Sequence, residues 1–385
     1  MKICLLGYDN LPVLASEYQR HSIGGEAVQQ TLLARALARR GHDVSMVVLD
    51  YGQPDGAQWD GIRVHKAFAR DAGVPVFRFI HPRWTGTWSA LARADADIYY
   101  TSCAGMHVGL VASFCRRFRK RFVFRTASDA DCERGRVRVF VRFARDRWLY
   151  SQGLRQAHAV LVQSVSQAKA MARSYRLHSR VAGMLVDRPL ASRSRDIDVL
   201  WVGNIKHVKR PDRVFELAGK LPQLKIHMVG GQTHGEERLF REFTQAIAAR
   251  TNVVFHGALP YSDTNRLFDR ARLLVNTSDI EGFPNVYLQA WVRGIPVVTL
   301  IDPDGVIARE QIGAAARSPA EIPDAITSLL DQPSAWEAAS DRCRAFMERE
   351  YGEDKILAEY LGAFEEVLSP GSIDRRLLAT SEHHV

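Results

Sequence analysis

The run 276–299, NTSDIEGFPNVYLQAWVRGIPVVT, constrains the fold more than any other stretch of this chain. Its first residues, 276–278, end the run 272–278, whose apolar residues are typical of a strand buried on both faces of a parallel sheet. After a short loop, the spacing predicts a helix over 286–293 and a second strand over 296–300. A strand, a helix and a strand in this order predict a parallel α/β sheet.

The loop inside this run carries residues with specific backbone preferences. Gly282 allows the chain to bend, and Pro284 prevents the strand from continuing. Asn285 is predicted to be the N-cap of the following helix. Gly294 is expected to end that helix, because glycine adopts the left-handed backbone conformation without steric cost.

Polar groups in this loop can form a binding site. The amides of 283–286 lie at a predicted helix start, where unpaired N–H groups can bind an anion such as a diphosphate. Glu281 precedes this position, and Gln289 follows it by about one helical turn. Together they could hold sugar hydroxyls on both sides of a phosphate. The same residues equally fit an ordinary glycine-proline loop with a solvated Glu and a surface Gln.

This pattern resembles the signature of the retaining, GT-B-fold glycosyltransferases of family four. The resemblance rests on Glu281, Gly282, Phe283, Pro284, Asn285, Val286 and Gln289, followed by GIPVV at 294–298. In that family the first Glu of the signature contacts the donor sugar, and a second Glu grips the ribose. Glu281 matches the first. Gln289 stands in place of the second, which implies a ribose contact without the strength of a charged hydrogen bond.

The resemblance extends to basic residues that would face the donor phosphates. In the family an Arg follows a glycine directly, and a Lys stands six residues after that glycine. Here Gly203 is followed by Asn204, while Lys209 occupies the Lys position. Lys209 is therefore expected to stabilise the departing diphosphate, with Arg210 or Lys206 supplying the missing Arg charge. A solvated basic loop is the alternative.

The first half of the chain also contributes residues to the predicted site. A strand over 2–8 and a polar loop over 9–23 lead to Gly24 and Gly25, which precede a helix over 26–40. In the family a Gly-Gly at this place lies near the donor phosphates and the acceptor. A plain turn explains the two glycines equally well. G-x-G-x-x-G is missing here, so dinucleotide binding is not indicated.

Charge is concentrated in the first half. The chain carries a net charge of +9, and 116–147 holds twelve Lys and Arg residues against four acids. An amphipathic basic helix is predicted over 133–150, which could lie on an anionic membrane or pack as an ordinary surface helix. Binding of nucleic acid is not expected, because no nucleic-acid module is recognisable.

Aspartates after the strand 121–126 also suggest contacts with substrate. Asp129 is a candidate for binding sugar hydroxyls, whereas Ser128 stands where family members often have His. Asp129 and Asp131 form a D-x-D pair, but one pair supplies too few oxygen ligands for a hard cation. No metal is therefore expected.

The predicted fold class is α/β, with two Rossmann-like domains facing across a cleft and a C-terminal helix crossing back to the first domain. An acceptor-binding domain is expected over 1–188, a nucleotide-sugar-binding domain over 189–350, the crossing helix over 351–370 and a frayed tail over 371–385. No signal peptide and no membrane-spanning apolar run are apparent. Five scattered cysteines suggest reduced thiols in the cytoplasm.

The resemblance implies a retaining, metal-independent transfer of a sugar from a UDP- or GDP-linked donor, without a cofactor, to a sugar or lipid-linked acceptor. Synthesis of a bacterial polysaccharide or glycolipid is the expected setting, in the cytoplasm or on the inner face of its membrane. Asn204, Ser128 and Gln289 keep a second interpretation open, namely a non-catalytic sugar-nucleotide binder or partner subunit. An epimerase on the same fold would need an acid/base pair that is not evident.

Overall fold

Both halves of the chain form sheets of the predicted kind. A computed structural model of the protein describes residues 1–19, 23–189 and 194–369. The predicted tail over 371–385 lies outside these residues. In the first half the strands are β1 (Lys2–Leu6), β2 (Asp43–Asp50), β3 (Gln58–Trp59), β4 (Ile62–Ala69), β5 (Ile98–Ser102), β6 (Arg121–Arg125), β7 (Ala159–Val162) and β8 (Arg180–Val181). In the second half they are β9 (Ile197–Val202), β10 (Ile226–Val229), β11 (Val253–Phe255), β12 (Ala271–Asn276), β13 (Val297–Thr299) and β14 (Gly313–Ala315).

Helices connect most of the strands and cover the sheets. In the first half they are α1 (Leu11–Leu14), α2 (Gly25–Arg39), α3 (Thr85–Ala94), α4 (Met106–Phe118), α5 (Ala144–Gln156) and α6 (Val165–Tyr175). In the second half they are α7 (Asp212–Lys220), α8 (Glu237–Ile247), α9 (Tyr261–Phe268), α10 (Asn285–Trp291), α11 (Val306–Glu310), α12 (Ile322–Leu330), α13 (Pro333–Glu350) and α14 (Glu353–Leu368). None of the described helices is both long and apolar enough to span a bilayer.

The strand order confirms the predicted fold class of two parallel sheets. The first sheet has the order β3-β4-β2-β1-β5-β6-β7-β8, and only the short β3 is antiparallel to its neighbour. The second has the order β11-β10-β9-β12-β13-β14 and is parallel throughout. Successive strands are added in one direction from β9 to β11 and in the other direction from β12 to β14, so the strand order reverses between β9 and β12. Ligands of such sheets bind beyond the carboxyl ends of the strands at this kind of reversal.

The described residues divide into two units. The first consists of Met1–Asn10, Leu33–Gly183 and the residues from Asp354 onward. The second consists of Leu11–Leu32 and Met184–Glu353. The segment expected to be a polar loop, 9–23, is partly apolar and helical instead, since every residue of α1 is buried.

The last helix packs on the first unit, as predicted. The Tyr360 hydroxyl donates to the Gly183 carbonyl at 3.0 Å. Arg180 Nη2 forms an ion pair with Glu366 at 2.6 Å. Apolar residues of the helix are buried on one face, because Ile356, Leu357 and similar residues recur at helical spacing.

The prediction of an amphipathic helix over 133–150 is wrong for the first half of that range. The chain forms one short helical turn at Val137–Val139, becomes extended at Phe143, and starts α5 only at Ala144. Three β-branched valines and Gly135 give this stretch a weak helical propensity. Val137 is buried and Trp148 is exposed, so the two do not share one core-facing stripe.

Two histidines in the second unit form a close pair. His256 Nε2 lies 3.0 Å from His227 Nδ1. Burial, together with the charges of His256 and Arg270, lowers the pKa of His227 to about 4. Burial also lowers the pKa of His256. Because unfolded histidine takes up a proton near pH ~6.5, the unfolded state binds more protons than the folded state below that pH.

We therefore expect the free energy of unfolding to decrease as pH falls from about 6.5 towards 4, partly through this pair. Replacing His227 by Gln should make the decrease shallower. Urea denaturation at several pH values measures the effect. His234→Gln is the control, since His234 is exposed and should keep the wild-type pH dependence. Parallel profiles for wild type and His227→Gln would contradict the assignment.

Candidate donor site at the carboxyl ends of β9 and β12

Two loops of the second unit lie side by side because their strands are neighbours. β9 pairs with β12 in parallel, so both strands end at the same edge of the sheet. The loop after β9 carries Lys209, and the loop after β12 carries Glu281. The Asp279 amide donates to the Val208 carbonyl at 2.8 Å, and the Thr277 hydroxyl donates to the Lys209 carbonyl at 2.8 Å. These hydrogen bonds fix one loop against the other.

Glu281 is the centre of a polar cluster. Its Oε1 atom accepts hydrogen bonds from Lys209 Nζ, from Ser278 Oγ at 2.7 Å and from Asn276 Nδ2 at 3.3 Å. The side chain is only 11% exposed. Three donors on one oxygen hold the carboxylate in a defined direction, which is what a group that orients a sugar requires.

Lys209 and Arg210 differ in how far their charges are already neutralised. Lys209 is paired with Glu281, and its side chain is 26% exposed. Arg210 contacts two acids, Asp212 at 2.6 Å and Asp279 at 3.5 Å. Hydrogen bonds that Arg210 donates to Asp212, and the charges of both acids, raise the pKa of Arg210. Lys209 is therefore better placed than Arg210 to meet a phosphate.

Gly203, at the end of β9, lies beside the Lys209 side chain. A Cβ atom on Gly203 would lie 3.9 Å from Lys209 Cδ, so the strand end is adjacent to the lysine stem. Asn204, which follows Gly203, does not contribute a charge. Its Nδ2 donates to the Ile23 carbonyl at 3.1 Å, beside Gly24.

Gly25 and Asn285 are also brought together, since residues 11–32 belong to the second unit. Asn285 Nδ2 donates to the Gly25 carbonyl at 2.6 Å. A Cβ atom on Gly25 would lie 2.7 Å from Asn285 Nδ2, so any larger residue would displace the amide. The prediction that Asn285 caps α10 is wrong: Pro284 occupies the N-cap position, and the Asn285 side chain bonds Gly25.

The hydrophobic residues of the signature serve the core. Phe283 is 8% exposed and packs against Trp291 and Tyr351, with ring centroids 6.1 and 6.0 Å apart. Pro284 is buried, and Val286 packs on the same core. Packing of these side chains holds the loop that carries Gly282 in place.

Gln289 lies on the inner side of α10. It is 7% exposed, and its Nε2 atom lies 3.5 Å from Asn265 Oδ1 on α9. The Tyr261 hydroxyl lies beside the same two side chains. Arg293 donates to the Gln289 carbonyl at 3.0 Å. The Gln289 side chain is therefore directed towards α9.

Ser128 and Asp129 belong to the first unit. The Ser128 hydroxyl accepts from the Ala130 amide and caps a short helical turn. Asp129 Oδ1 accepts from Gln167 Nε2 at 2.9 Å. Burial raises the pKa of Asp131 to about 6, although amides of Ala127 and Ser128 donate to its carboxylate. Asp131 thus stabilises the turn that presents Asp129.

The sequence alone does not single out two residues that contact Glu281. Asn276 and Ser278 hold its carboxylate, but in the sequence they are only the polar end of a predicted strand. Their signal is present in the sequence, because small polar residues ending a buried strand lie at the edge where ligands bind.

Comparison with known families agrees with this geometry. Residues 186–355 match the sequence model described as "Glycosyl transferases group 1". Residues 24–183 match the one described as "Glycosyl transferase 4-like domain". The chain belongs to the group 1 glycosyltransferases. The two matches together take in every strand of the two sheets except β1, and every candidate residue of the donor site.

Curated relatives of this group 1 glycosyltransferase match over limited segments. The O-antigen biosynthesis glycosyltransferase WbnH of Escherichia coli is 33% identical over 102 residues, which is 26% of this chain and 27% of the relative. The D-inositol 3-phosphate glycosyltransferase of Mycolicibacterium paratuberculosis is 28% identical over 189 residues, 46% of this chain and 42% of the relative. The chain thus spans less than half the length of either relative.

Similarity to a solved structure covers the whole fold. Anabaena HepE, determined in complex with UDP and glucose, has a TM-score of 0.72 and 16% sequence identity. The alignment covers 95% of this chain and 99% of HepE. This likeness establishes the GT-B fold class.

Proposed function

We propose that the protein transfers a sugar from a nucleotide-sugar to an acceptor hydroxyl, with retention of configuration at the anomeric carbon. The observation that carries this proposal is the pairing of Glu281 with Lys209 at the point where the strand order of the second sheet reverses. It combines a fixed carboxylate with a cation, which suits a ligand that has both hydroxyl groups and phosphates.

Each candidate residue has a role in this proposal. Glu281 holds the sugar, and Lys209, assisted by Arg210, stabilises the departing diphosphate. Gln289 holds the ribose. The remaining contacts to donor come from backbone near Gly24, Gly25, Gly203, Asn204, Gly282, Phe283, Pro284, Asn285 and Val286.

The reaction is proposed to run on one face of the sugar. The bond between the anomeric carbon and the phosphate oxygen breaks, and the acceptor oxygen bonds to the same face. The leaving phosphate takes the proton of the acceptor hydroxyl. No nucleophilic side chain and no metal are invoked, in keeping with the family resemblance.

The domain roles follow from the same resemblance. The second unit binds the donor, with 189–350 as the proposed domain, and the first binds the acceptor within 1–188. The helix over 351–370 completes the first domain. Asp129 would contact the acceptor or the sugar, because its carboxylate is oriented by Gln167.

The biological setting is proposed from the relatives. WbnH acts in O-antigen biosynthesis, and the mycobacterial relative is named for D-inositol 3-phosphate. HepE was determined with UDP and glucose. We therefore propose synthesis of a bacterial polysaccharide or glycolipid from a UDP- or GDP-linked sugar. The reaction would take place in the cytoplasm, with the basic segment 116–147 touching the inner face of an anionic membrane.

A thermal-shift panel with UDP, GDP, ADP and their sugar conjugates tests the donor site. A ligand at 100 times its dissociation constant stabilises the folded state by about 2.7 kcal/mol, which raises the melting temperature by several degrees. We expect a shift for one nucleotide family and a larger shift with the attached sugar. The absence of any shift would overturn the donor site. A shift without transfer to any acceptor would favour the non-catalytic binder.

A further inference from the structure

Exposed apolar side chains are concentrated in one part of the first unit. A loop before α3 exposes Val74, Val76, Phe77 and Ile80 by 61–86%. Farther along the chain, Phe118, Phe143 and Trp148 are exposed by 47–60%. Single exposed apolar residues are ordinary, but a contiguous group of them marks an interaction site.

The loop that exposes Val76 is folded back on itself. The Arg78 amide donates to the Val74 carbonyl at 2.8 Å. A Cβ atom on Gly73 would lie 2.6 Å from Pro82 Cδ, so the two ends of the loop are packed closely. Val76 has φ +74° and ψ −51°, a conformation that is costly for a β-branched residue. It places the most exposed of these side chains at the turn.

Ring contacts connect this loop to α4. Phe79 contacts Trp84 and Trp84 contacts Trp88, each with ring centroids 5.8 Å apart. Trp88 contacts Phe118 at the end of α4, at 6.2 Å. Phe79, which lies in the same loop, is therefore linked to Phe118 by a series of ring contacts.

A cation connects the same loop to α5. The Arg145 guanidinium lies over the Phe79 ring, 3.6 Å from its centroid. Trp148 follows Arg145 by three residues and thus shares its helix face. Phe143 immediately precedes α5. The loop, the end of α4 and the start of α5 form one surface, which we call the aromatic–arginine surface.

The charges of this surface are almost all positive. Its exposed arginines are Arg78, Arg116, Arg117, Arg119, Arg142 and Arg145. Arg117 lies over the Phe118 ring at 5.5 Å and Arg142 over the Phe143 ring at 5.8 Å. Among the acids of this region, Asp146 is paired with Arg145 at 2.9 Å, and Asp71 is exposed.

We propose that the aromatic–arginine surface docks on an anionic lipid bilayer, with Val76 and Phe77 inserted between headgroups. Apolar side chains ringed by arginines match a bilayer interface, where rings enter the apolar boundary and cations meet anionic headgroups. This inference rests on the membrane contact of 116–147 proposed above. It adds an insertion element that lies outside that segment.

Cosedimentation of the full chain with vesicles tests the proposal. One set is phosphatidylcholine alone, and the other contains equal parts of phosphatidylcholine and phosphatidylglycerol. We expect binding to the anionic set, weakened by salt because headgroup attraction is screened. The double variant Val76→Ser/Phe77→Ser should bind about tenfold more weakly. Val254→Ser is the matched control, since Val254 is exposed by 43% in the second unit.

A second variant separates insertion from charge. Arg116→Gln/Arg117→Gln/Arg119→Gln should lower binding about a hundredfold at low salt. If the arginine variant loses vesicle binding while Val76→Ser/Phe77→Ser binds as wild type does, insertion is overturned and the contact of 116–147 stands. No binding of wild type to anionic vesicles would overturn both.

Two further readouts complete the design. A wild type that self-associates in light scattering, while Val76→Ser/Phe77→Ser is monomeric and neither binds vesicles, would assign the surface to a second copy and overturn the proposal. The nucleotide-dependent thermal shift should be the same in wild type and in both vesicle-binding variants. If wild type binds anionic vesicles but shows no nucleotide-dependent thermal shift, the donor site alone is overturned.

Discussion

Replacing Glu281 by Gln is expected to lower kcat/KM for sugar transfer about a hundredfold while leaving the binding of the free nucleoside diphosphate intact. The amide keeps the shape of the side chain but loses its charge. Hydrogen bonds to sugar hydroxyls therefore weaken in the transition state. Lys209, released from its ion pair with Glu281, becomes fully available to the diphosphate. Binding of the diphosphate should be equal to that of wild type or several times tighter.

Steady-state kinetics and calorimetric titration with the nucleoside diphosphate measure these two effects separately. Glu242→Gln is the matched control, because Glu242 forms an exposed ion pair with Arg238 in the same unit. It should leave both quantities unchanged. Equal loss of diphosphate binding and of turnover in Glu281→Gln would contradict the assignment of Glu281 to the sugar.

Much of the fold can be predicted because its signals are local. The strand β12 is an apolar run with polar ends. Gly294, shortly after the end of α10, has the expected left-handed conformation, with φ +65°. The helix over 133–150 could not be predicted correctly from periodicity. Val137 and Val141 recur at helical spacing and are both buried, but Val137 lies in a short helical turn and Val141 lies between that turn and α5. Periodicity indicates which side chains face inwards, but it does not determine the backbone conformation between them.

The site is predictable to a lesser degree because its contacts are not local. Lys209 and Glu281 are 72 residues apart, and their direct ion pair depends on β9 lying beside β12. Arg210 follows Lys209 in sequence and looks equivalent to it. Only the structure places Asp279 beside Arg210. The Asn285 side chain likewise bonds a carbonyl 260 residues away, which no local capping preference can reveal.

Lys209→Met should lower both turnover and diphosphate binding. Methionine keeps the apolar stem and removes the charge. We expect kcat/KM to decrease by about 10² to 10³ and diphosphate affinity by about tenfold. Glu281 would also face the phosphates without a neutralising cation, because Ser278 and Asn276 still hold its carboxylate in place. Kinetics and titration under the same conditions as for Glu281→Gln measure both effects.

Arg210→Met is the matched control, and the double variant Lys209→Met/Glu281→Gln tests the coupling. Arg210 is already paired with Asp212 and Asp279, so its loss should cost much less than the loss of Lys209. In the double variant, removal of the unpaired carboxylate should restore part of the diphosphate binding that Lys209→Met loses. Strictly additive losses would mean that the two side chains act independently. An effect of Arg210→Met as large as that of Lys209→Met would transfer the leaving-group role to Arg210.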